Sequence, residues 1–186
     1  MAYHHGDARA ALLAAAAAML EQEGAAGLSL RGVAEAAGLS RQAPYNHFAN
    51  KEAMLAELAG DGFTELLRRM DRPTEAAPFA RLVAAADSYI AFGTERPALF
   101  RLMFTRELVD LRRHPDVQAK ADAALAALSS IVGQVVTGDA VADATLVAWS
   151  LVHGYTDLCI EAGVDDPAAR PERAHLFARA VIGLER

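Results

Sequence analysis

An arginine and a glutamine lie side by side at Arg41 and Gln42, directly after Ser40. A guanidinium group can donate two parallel hydrogen bonds to guanine, and a glutamine carboxamide can pair in the same way with adenine. Each such pair discriminates against a wrong base by about 1–3 kcal/mol. Side chains of this kind read base edges when the start of a helix presents them to the major groove. The pair therefore indicates sequence-specific DNA binding, provided that a helix begins at this point.

The surrounding segment 28–51, LSLRGVAEAAGLSRQAPYNHFANK, contains two short helical patterns. Ser29 is predicted to cap the first helix and Ser40 the second, because a serine hydroxyl accepts a hydrogen bond from an unpaired amide at a helix start. Gly38 between them permits the positive φ of a sharp turn. Two short helices joined by a glycine turn describe a helix-turn-helix, whose second helix enters the DNA major groove.

Pro44 falls inside the predicted second helix. Proline lacks an N–H and crowds the carbonyl group four residues back. That carbonyl belongs to Ser40, the predicted cap, so we expect the first turn of the helix to accept the proline.

The net charge of the 186-residue chain is −6, which at first argues against a nucleic-acid-binding protein. The segment 25–51 nevertheless carries a net charge of +2, from Arg31, Arg41 and Lys51 against Glu35. Phosphate neutralisation happens only where a protein touches DNA, so a local basic surface is sufficient. The acidic remainder would keep the rest of the protein away from the duplex.

The remaining sequence predicts an all-α protein of about nine helices. Residues 1–50 are predicted to form a DNA-binding domain, helix 50–71 a connector, and residues 72–186 an effector-binding and dimerisation domain, because Pro73 and Pro78 bracket a loop. No apolar run reaches the length of a transmembrane helix. With no evident secretory signal and a single cysteine, we expect a cytoplasmic protein.

The sequence LSLRGVAEAAGLSRQAPYNHFANKEAML resembles the N-terminal domain of the TetR family of transcriptional regulators. The shared pattern is a helix-turn-helix that ends in an aromatic pair, Tyr45 and Phe48, followed by a lysine that opens the next helix, Lys51. The resemblance covers residues 7–58. The segments YHHGDARAALLAAA and AWSLVHGYTDL are similar to one subgroup, whose effector domain carries a tryptophan–histidine–glycine motif.

The resemblance implies a homodimer that binds a palindromic operator in double-stranded DNA and responds to a small-molecule effector. It implies a repressor, whose DNA binding the effector weakens. It also implies that Arg31 and Tyr45 approach the bases, and that Asn46, His47 and Lys51 hold phosphate. No cofactor, metal or membrane is expected. The predicted DNA-binding residues are Arg31, Ser40, Arg41, Gln42, Ala43, Tyr45, Asn46, His47 and Lys51.

Aromatic and sulfur-containing residues in the C-terminal part could line an apolar ligand pocket with a few polar groups. The alternative is a packed core. The candidate pocket residues are Phe92, Phe100, Met103, Phe104, Trp149, His153, Tyr155 and Asp157. A metal site at His153 and Asp157 lacks a visible third ligand.

The resemblance implies that the last two helices form the dimer interface. Stripes of small and apolar residues on both helices fit that arrangement, because such residues let helices approach closely. The stripes are Val141, Thr145, Ala148 and Val152, and then Leu176, Phe177, Ala180, Val181 and Leu184. A two-fold dimer would place two helix-turn-helix units on successive major grooves, about 34–36 Å apart.

Two other functions compete with this interpretation. One is a helical binding or scaffolding module that does not bind DNA in a sequence-specific way. The other is a small-molecule enzyme that uses His153, with Asp157 and Tyr155 beside it. No second base or nucleophile motif accompanies these residues, so we expect no enzyme.

Overall fold

The computed structural model describes residues 5–71, 76–164 and 166–183. Within these ranges the chain forms eight α-helices and two short 3-10 helices, with no strand. The α-helices are α1 (His5–Gly27), α2 (Leu30–Ala36), α3 (Lys51–Met70), α4 (Pro78–Glu95), α5 (Pro97–Phe104), α6 (Pro115–Val132), α7 (Ala140–Ala162) and α8 (Arg170–Ile182). The 3-10 helices are Ala43–Asn46 and Leu111–Arg113. The predicted all-α class is confirmed. The predicted second helix of the helix-turn-helix is the first 3-10 helix.

Helix α1 contains a break that the sequence indicates. Gly24 adopts φ 70° and ψ 175°, which is not helical backbone. Only glycine adopts this combination readily, since a Cβ atom would clash with the backbone. The regular part of α1 therefore stops at Glu23.

Side-chain caps fix the starts of two helices. The Ser29 hydroxyl oxygen accepts a hydrogen bond of 3.1 Å from the Gly32 amide and so caps α2. The Asn50 side-chain oxygen accepts one of 2.8 Å from the Ala53 amide at the start of α3. The Ser29 cap agrees with the prediction. In both helices a polar side chain satisfies an amide that the helix itself leaves unpaired.

The described chain divides into two compact units. Unit 1 consists of Met1–Gly62 and Arg96–Ala119, and unit 2 of Phe63–Glu95 and Lys120–Arg186. The functional boundary predicted near residue 72 remains a prediction, and the division by packing differs from it because 96–119 pack with the N-terminal helices. Among the described residues, no helix is long and apolar enough to cross a membrane.

Each unit has its own apolar core. In unit 1 the core includes Leu12, Leu20, Val33, Phe48 and Met54, which are all buried. In unit 2 helices α4, α7 and α8 pack against one another around a second set of buried side chains. That set includes Leu82, Ile90, Phe92, Ala148, Val152, Ala178 and Val181.

Candidate nucleic-acid interface

The reading segment, residues 40–48, follows the turn at Gly38. It contains the 3-10 helix Ala43–Asn46 in place of the predicted α-helix. The Ala43 amide donates to the Ser40 carbonyl at 2.9 Å, and the Tyr45 amide donates to the Gln42 carbonyl at 3.1 Å. Both bonds span three residues, as in a 3-10 helix. Pro44 explains the difference, because without an N–H it cannot donate the four-residue bond back to Ser40.

The prediction that Ser40 caps this helix is wrong. The residue at the cap position is Gln42, and its side chain makes no capping hydrogen bond. The carbonyl group of Ser40 is instead an acceptor within the turn, for the amide of Ala43. Ser40 itself remains exposed.

Two buried side chains anchor the reading segment to unit 1. Pro44 is buried, and Phe48 is only 2% exposed. The Phe48 amide donates to the Pro44 carbonyl at 2.8 Å, which closes the segment. The residues between and before these anchors stay accessible, and Tyr45 is 56% exposed although it is a large aromatic residue.

None of the nine predicted DNA-binding residues is buried. Arg31, Ser40, Arg41, Gln42, Tyr45 and Asn46 are exposed, and Ala43, His47 and Lys51 are half-buried. All nine belong to unit 1. Their roles toward DNA remain predictions, but the accessibility that those roles require is present.

Lys51 has a structural contact that the sequence did not predict. Its ammonium group donates a hydrogen bond of 3.3 Å to the carbonyl group of Ala26, near the end of α1. The cation therefore links the first turn of α3 to the residues after the Gly24 break. This contact holds the charge of Lys51 beside the end of α1.

Arg9 is a second residue that sequence reasoning missed. Its guanidinium group pairs with the Glu57 carboxylate of α3 and lies over the Phe48 ring, 5.7 Å from the ring centroid. Arg9 thus connects α1, α3 and an anchor of the reading segment. No local spacing reveals this, since Arg9 and Glu57 are 48 residues apart.

The predicted ligand-pocket residues divide between the two units. Phe100, Met103 and Phe104 belong to unit 1, and the other five belong to unit 2. Phe92 is fully buried, whereas Asp157 is exposed. The assignment of all eight to one pocket remains a prediction.

Within unit 2, two predicted pocket residues of α7 meet a tyrosine that was not predicted. The Trp149 indole N–H donates to the Tyr89 hydroxyl oxygen at 3.3 Å. The same hydroxyl group lies 2.8 Å from Nδ1 of His153. Burial raises the pKa of the Tyr89 phenol, so the phenol stays protonated and can donate to the imidazole.

Burial lowers the pKa of His153, and the nearby Asp157 carboxylate opposes that effect. A neutral His153 that accepts from Tyr89 at Nδ1 carries its own proton on Nε2. The hydrogen-bonded row from Trp149 through Tyr89 to His153 is therefore consistent in donors and acceptors. It joins α4 to α7 by polar contacts beside their buried apolar side chains.

A small apolar cavity lies beside this row. Its volume is about 20 Å³, about the room that one water molecule needs. It is lined by Met70, Leu82, Ala85, Ala86, Tyr89, Leu128, Ala148, Val152, Phe177, Ala178 and Val181. Four alanines among these residues leave space that larger side chains would fill. A ligand larger than water could enter only if the surrounding helices moved.

The predicted small-residue stripe of α7 faces inward. Thr145, Ala148 and Val152 are buried within unit 2, as is Cys159, so they are not available to a partner. The outer face of α7 carries other apolar residues, among them Leu146, 58% exposed, and Leu158. The stripe faces inward because its small residues let α4 and α7 approach each other inside the subunit.

Helix α8 agrees better with the predicted stripe. Leu176 is 54% exposed and Ala180 is exposed, whereas Val181 is buried. Leu184 lies outside the described residues. In the part of the chain that the structure describes, no group of three His, Cys, Asp or Glu side chains is arranged to hold a metal ion.

Comparisons with known proteins agree with this arrangement of segments. A family model described as bacterial regulatory proteins, tetR family, matches residues 12–58. A second, described as a tetracyclin repressor-like C-terminal domain, matches residues 82–184. The two matches cover the reading segment and most of the chain after Pro78.

Several relatives share the sequence or the fold. A solved structure of a protein with unknown function from Rhodococcus sp. RHA1 is 30% identical, with a TM-score of 0.78, and the match covers 96% of this chain and 97% of that chain. The TetR family regulator PfmR from Thermus thermophilus is 22% identical, with a TM-score of 0.69 and coverage of 92% and 97%. The uncharacterised HTH-type transcriptional regulator YobS from Bacillus subtilis is 33% identical over 87 residues, 46% of each chain, so this match spans about half of that relative's length.

Proposed function

Because the chain belongs to the TetR family of bacterial regulatory proteins, we propose that it is a DNA-binding transcriptional regulator. It acts as a repressor that binds a palindromic operator as a homodimer and releases it when a small-molecule effector binds. The observation that carries this proposal is the reading segment itself. Arg41, Gln42, Tyr45 and Asn46 are exposed on a turn that buried Pro44 and Phe48 hold in place.

The proposal assigns different roles to two cations of unit 1. Arg41 contacts a base edge, so its loss affects one position of the operator. Lys51 contacts phosphate, so its loss affects all sequences alike. The half-buried position of Lys51 and its bond to Ala26 support a fixed placement of that charge.

A selection of DNA fragments from a random-sequence pool tests these roles. Wild-type protein should enrich a palindromic sequence, and Arg41→Ala should lose about 1–3 kcal/mol and relax preference at one position of each half-site. Lys51→Ala should weaken binding to all sequences and reduce the salt slope by about 1. Lys120→Ala removes an exposed cation far along the sequence in α6 and serves as the control.

One outcome contradicts the proposal. If pure protein enriches no DNA sequence and binds no fragment in a salt-dependent way, the chain is a helical binding or scaffolding module instead. Melting temperatures of the variants must stay near that of wild type. Otherwise a loss of binding by Lys51→Ala could reflect the broken bond to Ala26.

The dimer is proposed to form through α7 and α8, with the outward faces of both helices. The exposed residues of α7 include Leu146, Gly154 and Leu158, and those of α8 include Leu176 and Ala180. Exposed leucines of this kind on two neighbouring helices favour association, because covering them removes apolar surface from water. A two-fold axis would bring the same faces of two subunits together.

The effector site is proposed to lie in unit 2, at the five predicted pocket residues of that unit: Phe92, Trp149, His153, Tyr155 and Asp157. Two observations support a site in unit 2: the row of Tyr89, Trp149 and His153 supplies polar groups, and the adjacent cavity is apolar. Trp149 is the single tryptophan of the chain, so its fluorescence reports on this region alone.

Titration of the protein with a panel of small aromatic and amphipathic compounds, followed by Trp149 emission, tests the effector proposal. A compound that changes this emission should also release the selected DNA fragment. A ligand must prefer one state of the protein to shift the equilibrium, and nearly complete switching needs about 5.5 kcal/mol of differential affinity. Compounds that bind and never change DNA affinity would contradict an effector role for this region.

A further inference from the structure

Helix α5 begins without a cap of its own. It spans eight residues, Pro97–Phe104, and such short helices are marginal without partners. Pro97, the first helical residue, has no N–H, and the side chain of Arg96 makes no capping bond. The amides of Ala98 and Leu99 therefore need acceptors from elsewhere in the molecule.

One carboxylate from α1 satisfies both amides. Oε2 of Glu21 accepts a hydrogen bond of 3.1 Å from the Ala98 amide, and Oε1 accepts one of 3.1 Å from the Leu99 amide. The Arg96 guanidinium Nε lies 3.4 Å from Oε1 of the same group. The next amide, that of Phe100, already donates to the Arg96 carbonyl at 2.8 Å. Glu21 thus completes the hydrogen bonding of the first turn of α5 from 77 positions away in the sequence.

The packing of α5 also attaches it to the N-terminal helices. Leu99 and Met103 are buried. At Gly62 of α3, a Cβ atom would lie 2.5 Å from the Met103 sulfur and 3.3 Å from Cδ1 of Leu99. Because real Cβ atoms do not approach so closely, the glycine permits α5 to lie directly against α3. Helix α5 is therefore held by the same two helices that flank the helix-turn-helix.

A second carboxylate contacts the later part of residues 96–119, at Arg113 and His114. Glu52, in the first turn of α3, accepts from the Arg113 guanidinium at 3.3 Å and lies 3.4 Å from Nε2 of His114. The Arg113 side chain is largely exposed, so this pair is worth less than the cap at Glu21. Both contacts nevertheless join the segment matched by the N-terminal family model to the segment matched by the C-terminal one.

We propose that Glu21 is a positioning residue for DNA binding, whose carboxylate fixes α5 to α1 and thereby holds the reading segment in place. The inference rests on the DNA-binding function proposed above. Glu21 and the reading segment are connected through the end of α1. Glu21 lies five residues before Ala26, and the carbonyl group of Ala26 accepts a hydrogen bond from Lys51. A change in α5 that withdraws the two amides from Glu21 frees the end of α1, and with it the placement of Lys51.

The matched test compares Glu21→Gln with Glu23→Gln in the full chain. Both remove one negative charge from the end of α1, but Glu23 is exposed and caps nothing that the structure shows. A glutamine at position 21 keeps one oxygen acceptor and replaces the other with a donor, so one of the two amides loses its partner. Glu21→Asp retains the charge and tests whether a shorter acid restores the cap.

Amide hydrogen exchange, followed by NMR, is the first measurement. Glu21→Gln should accelerate exchange at Ala98 or Leu99 by about fivefold to tenfold, the scale expected when a helix cap is lost. Exchange at the Phe48 amide, which closes the reading segment, should accelerate as well, while Val152 in unit 2 should not change. Glu23→Gln should match wild type at all of these amides.

Affinity for the fragment that wild-type protein selects from a random pool is the second measurement. Glu21→Gln should bind it about tenfold more weakly, a loss of about 1.4 kcal/mol, at temperatures where both proteins are fully folded. Wild-type affinity despite faster exchange at Ala98 would overturn the proposal, as would unchanged exchange at Ala98, Leu99 and Phe48. If wild-type protein selects no DNA, the proposed function fails, and exchange at Phe48 still decides whether Glu21 holds the reading segment.

Discussion

A buried tyrosine illustrates what a single hydroxyl group can contribute. Tyr89 is 3% exposed, and its oxygen bonds to both Trp149 and His153 of α7. Buried polar groups are costly without partners, and each of these three supplies what another lacks. The sequence indicated Trp149 and His153 among the candidate pocket residues. It could not reveal Tyr89, because the tyrosine comes from α4, about 60 residues earlier.

Tyr89→Phe should destabilise the fold by about 1–3 kcal/mol, because the Trp149 N–H and the His153 imidazole each lose a buried partner. Urea unfolding at pH 7.5 measures the effect. Tyr45→Phe, at an exposed tyrosine of unit 1, is the matched control and should change stability little. Equal unfolding free energies for the two variants would show that the Tyr89 hydroxyl group contributes nothing.

His153 should make stability depend on pH. Its folded pKa lies below the ordinary value of 6.5 because of burial. As pH falls through about 6.5, the unfolded chain binds a proton at this residue and the folded chain does not, so acid favours unfolding. This loss continues down to the lower folded pKa, with a slope of at most about 1.4 kcal/mol per pH unit.

Urea unfolding of wild type and His153→Gln between pH 8 and pH 5 measures this slope. The variant should lose less stability on acidification than wild type, even if it starts from a lower value at pH 8. All other ionisable groups are the same in both proteins, so only the difference between the two curves reports on His153. Parallel curves would mean that His153 is protonated as easily in the folded chain as in the unfolded one.

At the scale of elements, glycine and proline decide where helices stop. Gly24 breaks α1 at φ 70°, and Pro44 turns a predicted α-helix into a 3-10 helix. The first was predictable, because a glycine after a helical pattern commonly ends a helix. The 3-10 helix at Pro44 was not predictable, because it depends on which amide donates to the Ser40 carbonyl. The sequence showed that Pro44 crowds this carbonyl, but it did not show that the Ala43 amide would donate to it.

Gly24→Ala should destabilise the protein by about 1–3 kcal/mol through backbone strain alone. Apart from the adjacent backbone of α1, no atom lies within 4 Å of the Cβ that alanine would add, so contact with other helices does not contribute. Thermal unfolding followed by circular dichroism measures the loss. A variant as stable as wild type would imply that α1 can continue as a regular helix through residue 24.

Asn50→Ala is the corresponding change at a helix start, and should cost about 1 kcal/mol because the Ala53 amide loses its acceptor. Asn50→Asp should retain the stability, since a carboxylate oxygen can accept the same bond. Denaturant unfolding of both variants beside wild type measures what the side-chain acceptor at position 50 contributes to stability. A loss in Asn50→Asp as large as that in Asn50→Ala would argue against capping.

At the scale of the whole molecule, the sequence indicated the all-α class and the family, but not how the chain divides by packing. Residues 96–119 pack with the N-terminal helices, although they lie beyond the predicted boundary near residue 72. Contacts such as those of Glu21 with Ala98 and Leu99 produce this arrangement, and no local pattern reports them. The inward α7 stripe failed for a related reason: small residues serve close packing inside a subunit as well as between subunits.

The outward faces of α7 and α8 should decide the oligomeric state. Leu176→Glu places a charge among exposed apolar residues of the proposed interface and should shift the protein from dimer to monomer. Tyr45→Glu introduces the same charge at an exposed aromatic residue of unit 1 and should leave the dimer intact. Light scattering after size-exclusion chromatography measures both. Dimers of equal stability in both variants would move the interface away from α8.

The inner face of α7 carries the one thiol of the chain. Cys159 is only 5% exposed, so a colourless aromatic disulfide reagent can reach its sulfur only after α7 separates locally from its neighbours. When the face closes faster than the reagent reacts, the labelling rate equals the intrinsic reactivity of the thiol multiplied by the fraction of time that this face is open. The labelling rate of Cys159 therefore measures how often the C-terminal helices open at this face. A compound that binds between those helices would change this rate.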